Sequence, residues 1–271
     1  MILYMGDKSN IYGEGPIHMV AEYESPSSIK EEIRRRIWDL MEKTNVASFP
    51  RPVYGRIPNF VGAEVAARRL SELEEFKRAR VVKVNPDSPQ KSVRYLTLQS
   101  GKILLIPTPR LRSGFLLLNP SKIPRSVYGE ASTIHGAFKY GEACRLRDIP
   151  KVDLLVVGSV AVSRDGARVG KGGGYSELEY GILREVGAVD NSTPILTTVH
   201  DIQIVDFVLK EPHDLTVNAI ITPTKVIRVN DVGERPRGIF WEKIPIERIR
   251  EIPVLMELKA HSLRKDRTAA L

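Results

Sequence analysis

An α/β fold with an open, mainly parallel sheet and helices on both faces is predicted by three observations. Short β-branched runs alternate with stretches of helical period from residue 80 onward. The segment DLLVVGSVAVS at 153–163 is almost continuously apolar, as a strand buried on both faces must be. A glycine-rich loop follows it and opens onto an amphipathic stretch, the order of a βαβ architecture.

The elements follow in order. Residues 1–26 have no period and read as an N-terminal extension. SSIKEEIRRRIWDLMEK predicts a helix with Ser27 or Ser28 as N-cap, Glu31 and Glu32 in its first turn, and Ile33, Ile37, Leu40 and Met41 on one face. FPRPVYGRIPNF carries Pro50, Pro52 and Pro58, too many for a helix or a central strand, so it reads as an extended connector. GAEVAARRLSELEEF resumes helical spacing, and RVVKV, SPQKSVRYLTLQSG and KILLIPTP then form a βαβ unit. DLLVVGSVAVS is the next parallel strand, PILTTVHD another, and LTVNAIITPTKVIRV one or two more. PIERIREIPVLMELKAHSLRK is a closing helix interrupted at Pro253, and residues 261–271 are a basic tail. One α/β domain therefore spans 27–260.

Composition excludes several classes. The opening residues mix Asp7, Lys8 and Glu14 with apolar ones, so no secretory signal or membrane span is expected, and the protein reads as cytoplasmic. A single cysteine, Cys144, rules out an internal disulfide and a thiolate metal cluster. Lys plus Arg outnumber Asp plus Glu by 41 to 33, a formal charge of +8 that suits anionic partners such as nucleotides, folate glutamates or RNA. The cations are dispersed and no aromatic-interleaved RNA motif stands among them.

The stretch GSVAVSRDGARVGKGGGYSELEYG, residues 158–181, carries the chemistry. Gly170, Gly172, Gly173 and Gly174 can adopt positive φ and let backbone N–H groups close on an anion, with Arg168 and Lys171 adding charge. Tyr175, Leu178 and Ile182 begin a helix whose positive end would face the loop. Lys30 and Arg34 stand one helical turn apart, a spacing that serves a phosphate clamp or a solvated face equally. His213 and Asp214 read either as a site or as a turn with a cap, and His200 and Asp201 at a strand end as site or structural residues.

The spacing G-x-R-x-G-x-G-x-G-Y from Gly166 to Tyr175 resembles the signature of the 5-formyltetrahydrofolate cyclo-ligase family. Lys30, Ile33 and Arg34 match that family's early Lys-x-x-(apolar)-Arg, and Pro212, His213 and Asp214 match its late Pro-His-Asp element. The segments FPRP, RIPNF, LLIPTPRLR, VVGSVAVS, TTVHD and HDLTV are similar to the methenyltetrahydrofolate synthetase domain-containing subgroup, over about residues 28–255. The resemblance implies a fold similar to the ribose-phosphate isomerase and CoA-transferase group, ATP and Mg²⁺ as cofactors, and a folate or related pterin as substrate. It implies Arg168 and Tyr175 as catalytic residues. Lys30, Arg34, Gly166, Arg168, Gly170, Lys171, Gly172, Gly173 and Gly174 would hold nucleotide, and Glu177 and Asp214 the metal. The family's usual Gly-Tyr-Tyr-Asp is replaced here by Gly174-Tyr175-Ser176-Glu177, its acidic residue near the signature's start by Ser163, and NPDSPQKS at 85–92 lacks its expected glutamate pattern. The alternative is a catalytically silent nucleotide- or RNA-binding protein on the same scaffold, since animal members of the subgroup can carry an RNA-recognition domain.

Overall fold

A computed structural model describes residues 25–260; the expected tail and all but the last two residues of the expected extension lie outside the described residues. Helix α1 (Pro26–Lys43) starts earlier than its acidic residues suggest. Pro26 suits the first position of a helix, and Ser25 caps it by accepting from the Ser28 N–H, so Glu31 and Glu32 fall beyond the first turn. Helices α2 (Ala63–Ser71) and α3 (Glu74–Arg78) lead into strand β1 (Val81–Val84). Helix α4 (Lys91–Gln99) then returns the chain to β2 (Ile103–Pro107), parallel to β1 as expected.

The next stretch has elements that the sequence does not announce. Strands β3 (Phe115–Leu118) and β4 (Glu142–Cys144) extend the sheet in antiparallel fashion, with the short helices α5 (Tyr128–Ala131) and α6 (Ile134–Tyr140) between them. The run at 153–163 is two strands, not one. β5 (Leu154–Val157) belongs to the large sheet, and β6 (Ala161–Ser163) pairs with β7 (Arg168–Val169) in a second, three-stranded sheet. The chain turns out at Gly158, where a Cβ would lie 2.7 Å from Ile57 Cγ2, and the Gln203 amide holds the carbonyls of Ser159 and Val160 at 3.0 and 3.1 Å. Helix α7 (Tyr175–Glu185), strands β8 (Ile195–Thr198), β9 (Ile204–Val205), β10 (Ala219–Ile221) and β11 (Val226–Arg228), and helix α8 (Ile246–Glu251) follow. The chain is helical again over 253–260, with the break before Pro253.

The main sheet has eight strands in the order β11-β10-β8-β5-β1-β2-β3-β4. The five from β10 to β2 are parallel and the edges antiparallel. Each strand sends alternate side chains into two cores. Val82, Val84, Leu104 and Val156 pack with Ala66, Leu70, Val93 and Met41 from α2, α4 and α1. Leu105, Leu155, Val157 and Ile195 pack with Tyr180, Ile182 and Leu183 of α7 and with Leu255. Leu104, Leu105 and Leu155 have no exposed surface, each contributing about 1.5–3 kcal/mol of transfer free energy. Helices thus cover both faces, as predicted. The chain runs β1 to β2 one way and β5 to β8 to β10 the other, so the strand order reverses between β1 and β5, the position where open α/β sheets leave a crevice beyond their carboxyl ends.

Candidate functional site

The carboxyl ends of β1 and β5 deliver Asn85, Asp87 and Gly158 to that crevice, and the glycine loop lies across it. Arg94, fully buried on α4, fixes the β1 end by donating to the carbonyls of Asn85 at 2.6 Å, Asp87 at 3.0 Å and Ser132 at 2.7 Å. Burial pushes its guanidinium down to about 10.

The loop is pinned by three arginines. Arg168 donates to the Gly158 carbonyl at 2.9 Å and to Glu177 Oε1 at 2.6 Å, and its Nε has no partner among the described residues. Arg34 donates to the Gly170 carbonyl at 2.7 Å and to Glu31 at 2.7 Å. Arg248 donates to the Gly173 carbonyl at 2.8 Å while its guanidinium lies 4.8 Å from the centre of the Tyr175 ring. Of the four loop glycines expected to supply positive φ, only Gly172 at +96° and Gly174 at +64° do so; Gly170 and Gly173 stay in ordinary backbone regions. They need small size instead, since a Cβ on Gly173 would meet the Tyr175 ring at 2.9 Å and one on Gly170 the Arg168 guanidinium at 3.3 Å. Gly174 caps α7 without a side-chain hydrogen bond, so the first N–H groups of an 11-residue helix open beside the loop.

Two cavities share the loop as their common wall. The smaller, about 150 Å³, is walled by Lys30, Arg34, Arg168, Gly172, Glu177 and Asp214. The larger, about 560 Å³, has Lys171, Gly173 and Tyr175 on the loop side and Asn85, Asp87 and Arg110 opposite. The structure therefore brings together nearly all the residues singled out from sequence. His200 and Asp201 are exceptions, and so is Gly166. It turns the β6–β7 hairpin at φ +84°, its N–H donates to Ser163 at 2.9 Å and its carbonyl accepts from Val217 at 2.9 Å, which leaves neither group for a ligand. His200 and Asp201 are structural: His200 Nδ1 accepts from the Ile202 N–H, and Asp201 accepts from Thr222 and Thr224.

The expected cations already have protein partners. Lys30 Nζ sits 2.6 Å from Asp214 Oδ2 and 2.9 Å from Glu211 Oε2, and its hydrogen bond holds the Glu211 carboxyl below the usual range. Lys171 reaches Asp87 at 3.0 Å. Glu211, His213 and Asp214 converge so that one ligand atom from each lies within 4.8 Å of the others, an arrangement that includes Asp214 but not Glu177. Glu177 keeps to the loop side, paired with Arg168.

Sequence reasoning missed the polar floor of the larger cavity. Lys83 on β1 and Glu179 on α7 are both buried and pair at 2.5 Å; Lys83 also donates to Asn85 Oδ1, and Asn85 to Ser176 Oγ at 2.9 Å. Burial raises the Glu179 carboxyl. The signal was a lysine inside VVKV, a strand that ought to be apolar on both faces.

A model of the 5-formyltetrahydrofolate cyclo-ligase family matches residues 26–223, a span that includes α1, the loop and the His213-Asp214 turn. The chain belongs to the 5-formyltetrahydrofolate cyclo-ligase family. Among its relatives in this family, it is 47% identical over 234 residues to the methenyltetrahydrofolate synthase domain-containing protein of Bos taurus, covering 85% of this chain and 62% of that protein. It is 44% identical over 246 residues to the protein of the same name from Homo sapiens, covering 89% and 64%. The chain thus spans under two thirds of the length of these relatives. The solution structure of Aquifex aeolicus 5,10-methenyltetrahydrofolate synthetase aligns with 80% of this cyclo-ligase family member and 100% of its own chain, at 19% identity and a TM-score of 0.49. No helix among the described residues is long and apolar enough to cross a membrane.

Proposed function

We propose that this protein converts 5-formyltetrahydrofolate, or a related pterin, to 5,10-methenyltetrahydrofolate at the expense of ATP, releasing ADP and phosphate. The observation that carries this reading is the glycine loop itself. It is an arginine-pinned strand of backbone at a helix N-terminus, bordered on one side by a small cavity that Lys30, Arg34 and Arg168 wall together with Glu177, Glu211 and Asp214, and on the other by a larger one fit for an organic ring. The reaction that the resemblance implies is one in which the formyl oxygen takes the γ-phosphoryl group, the neighbouring nitrogen closes the ring and loses its proton, and phosphate departs with that oxygen.

Such a transfer needs positioning and neutralisation of charge more than a side-chain nucleophile. In this reading the loop amides, Arg168 and Lys171 hold the phosphates. Lys30 and Arg34 contribute charge from the wall of the smaller cavity, and Tyr175, its ring set by Arg248, orients the substrate. A bound magnesium would offset charge on the transferring phosphoryl group. Glu177 and Asp214 fit it: each uses one carboxylate oxygen on a protein cation, and the other accepts no hydrogen bond among the described residues. Magnesium ordinarily takes only one or two carboxylates together with phosphate oxygens and water. The lone Cys144 fits a cytoplasmic location. Nothing among the described residues favours the RNA-binding alternative.

The test is ADP formation from ATP with and without 5-formyltetrahydrofolate. ADP release that requires the folate supports the assignment; ATP binding with no folate-dependent turnover would contradict it.

A further inference from the structure

The Lys83–Glu179 pair is hard to explain as a stabilising contact. Its side chains are 1% and 5% exposed, and removing an ammonium and a carboxylate from water costs several kcal/mol each, which their attraction rarely exceeds. An apolar pair would fit the β1–α7 interface at least as well, since Lys83 stands in register between Leu105 and Leu155 of the neighbouring strands, both members of that core.

The arrangement leaves one atom without work. Lys83 holds Glu179 through Oε2 and is itself steadied by Asn85, whose amide is fixed by Ser176. Glu179 Oε1 accepts no hydrogen bond among the described residues, and Glu179, Asn85 and Ser176 all wall the larger cavity. The other acidic residues there are engaged by cations: Asp87 by Lys171, and Glu177 by Arg168 beside the smaller cavity. Glu179 therefore offers a rigid, nearly buried acceptor in the wall of a ligand-sized space.

We propose that Glu179 is the residue that reads the donor edge of the substrate ring, its Oε1 accepting from the amino N–H of an aminopyrimidinone, with Lys83 as the positioning residue that holds Oε2 and so orients the carboxyl group. The inference rests on the folate reading above and names the contact that selects the pterin. A carboxyl oxygen matched to one N–H donor discriminates strongly, because a ligand lacking that donor leaves the buried oxygen unpaired.

The experiment measures binding of 5-formyltetrahydrofolate and of its 2-desamino-2-methyl analogue to the unmodified protein, to Glu179→Gln, and to the double variant Lys83→Met with Glu179→Leu. ATP affinity and thermal unfolding are recorded on the same preparations. The double variant removes both charges at once and leaves no unpaired buried charge, so it keeps the test open if Glu179→Gln fails to fold. The unmodified protein should prefer the amino compound by about tenfold or more, the scale of one hydrogen bond to a charged group. In the variants that preference should shrink to about threefold or less, with ATP affinity unchanged. Equal losses for both compounds, or an unaltered preference, would make the pair purely structural and overturn the proposal. An unmodified protein that binds ATP but neither pterin would overturn the folate reading and this inference with it.

Discussion

Arg168 and Glu177 meet at 2.6 Å across the mouth of the glycine loop, so the strand that enters the loop and the helix that leaves it are tied by one charge-assisted hydrogen bond. The same guanidinium holds Gly158, where the apolar run leaves the main sheet. One side chain thus couples the end of β5, the loop and α7. Arg168→Ala should weaken ATP binding by about 10- to 100-fold and lower stability by about 1–3 kcal/mol, as the Gly158 carbonyl loses its donor. Arg168→Lys should restore little, because one ammonium cannot span both acceptors. Calorimetric ATP titration and urea unfolding check both values; unchanged affinity in Arg168→Ala would remove the residue from the site.

Gly172→Ala tests the loop's shape. At φ +96° an alanine costs about 1–2 kcal/mol, while its Cβ would stand an unstrained 3.6 Å from Arg34 Cζ. Gly187→Ala, at φ +70° in open space, carries the same kind of backbone penalty away from the loop. Both variants should lose similar stability, and Gly172→Ala alone should lose ATP affinity, as read by thermal unfolding and nucleotide titration.

Acid sensitivity should trace to Lys30. Its hydrogen bond depresses the Glu211 carboxyl below the 4.5 of an unperturbed glutamate. A group with a lowered folded-state pKa stabilises fully above its unfolded value, and that stabilisation disappears as pH falls through the folded value. Lys30→Met should therefore cost more at pH 7 than at pH 3. The cost at pH 7 is about 1–3 kcal/mol, below that of a fully buried pair because Glu211 retains a quarter of its exposure. Unfolding curves across this range should show the two proteins converging in acid.

Glu177→Gln separates the magnesium role from the structural one. The amide oxygen still accepts from Arg168, so folding should hold, while the NH2 that replaces the second oxygen cannot coordinate a cation. The magnesium concentration for half-maximal turnover should rise several-fold; an identical magnesium dependence would exclude Glu177 as a ligand.

Much of the architecture was legible because β-branched runs and helical spacing state their own periods, as in KILLIPTP and the α1 segment. The loop and its helix were legible from glycines and cations in one short stretch. The strand break at Gly158 was not, since the apolar character continues from β5 into β6 although the two lie in different sheets. β3 and β4 were hidden because they lie among short turns around Pro120 and Pro124. At the site, the glycine-loop pattern located Arg168 and the family resemblance singled out Lys30, Arg34 and Asp214, but Glu211 and Glu179 acquire meaning only through Lys30 and Lys83, which lie 181 and 96 residues away.

The most direct measurement is the near-ultraviolet absorbance of 5,10-methenyltetrahydrofolate during incubation of the protein with 5-formyltetrahydrofolate, ATP and Mg²⁺. A rise that requires ATP and is matched by equimolar ADP is the predicted result. No rise, in a preparation that binds both ATP and 5-formyltetrahydrofolate, would contradict the assignment of ring closure to this site.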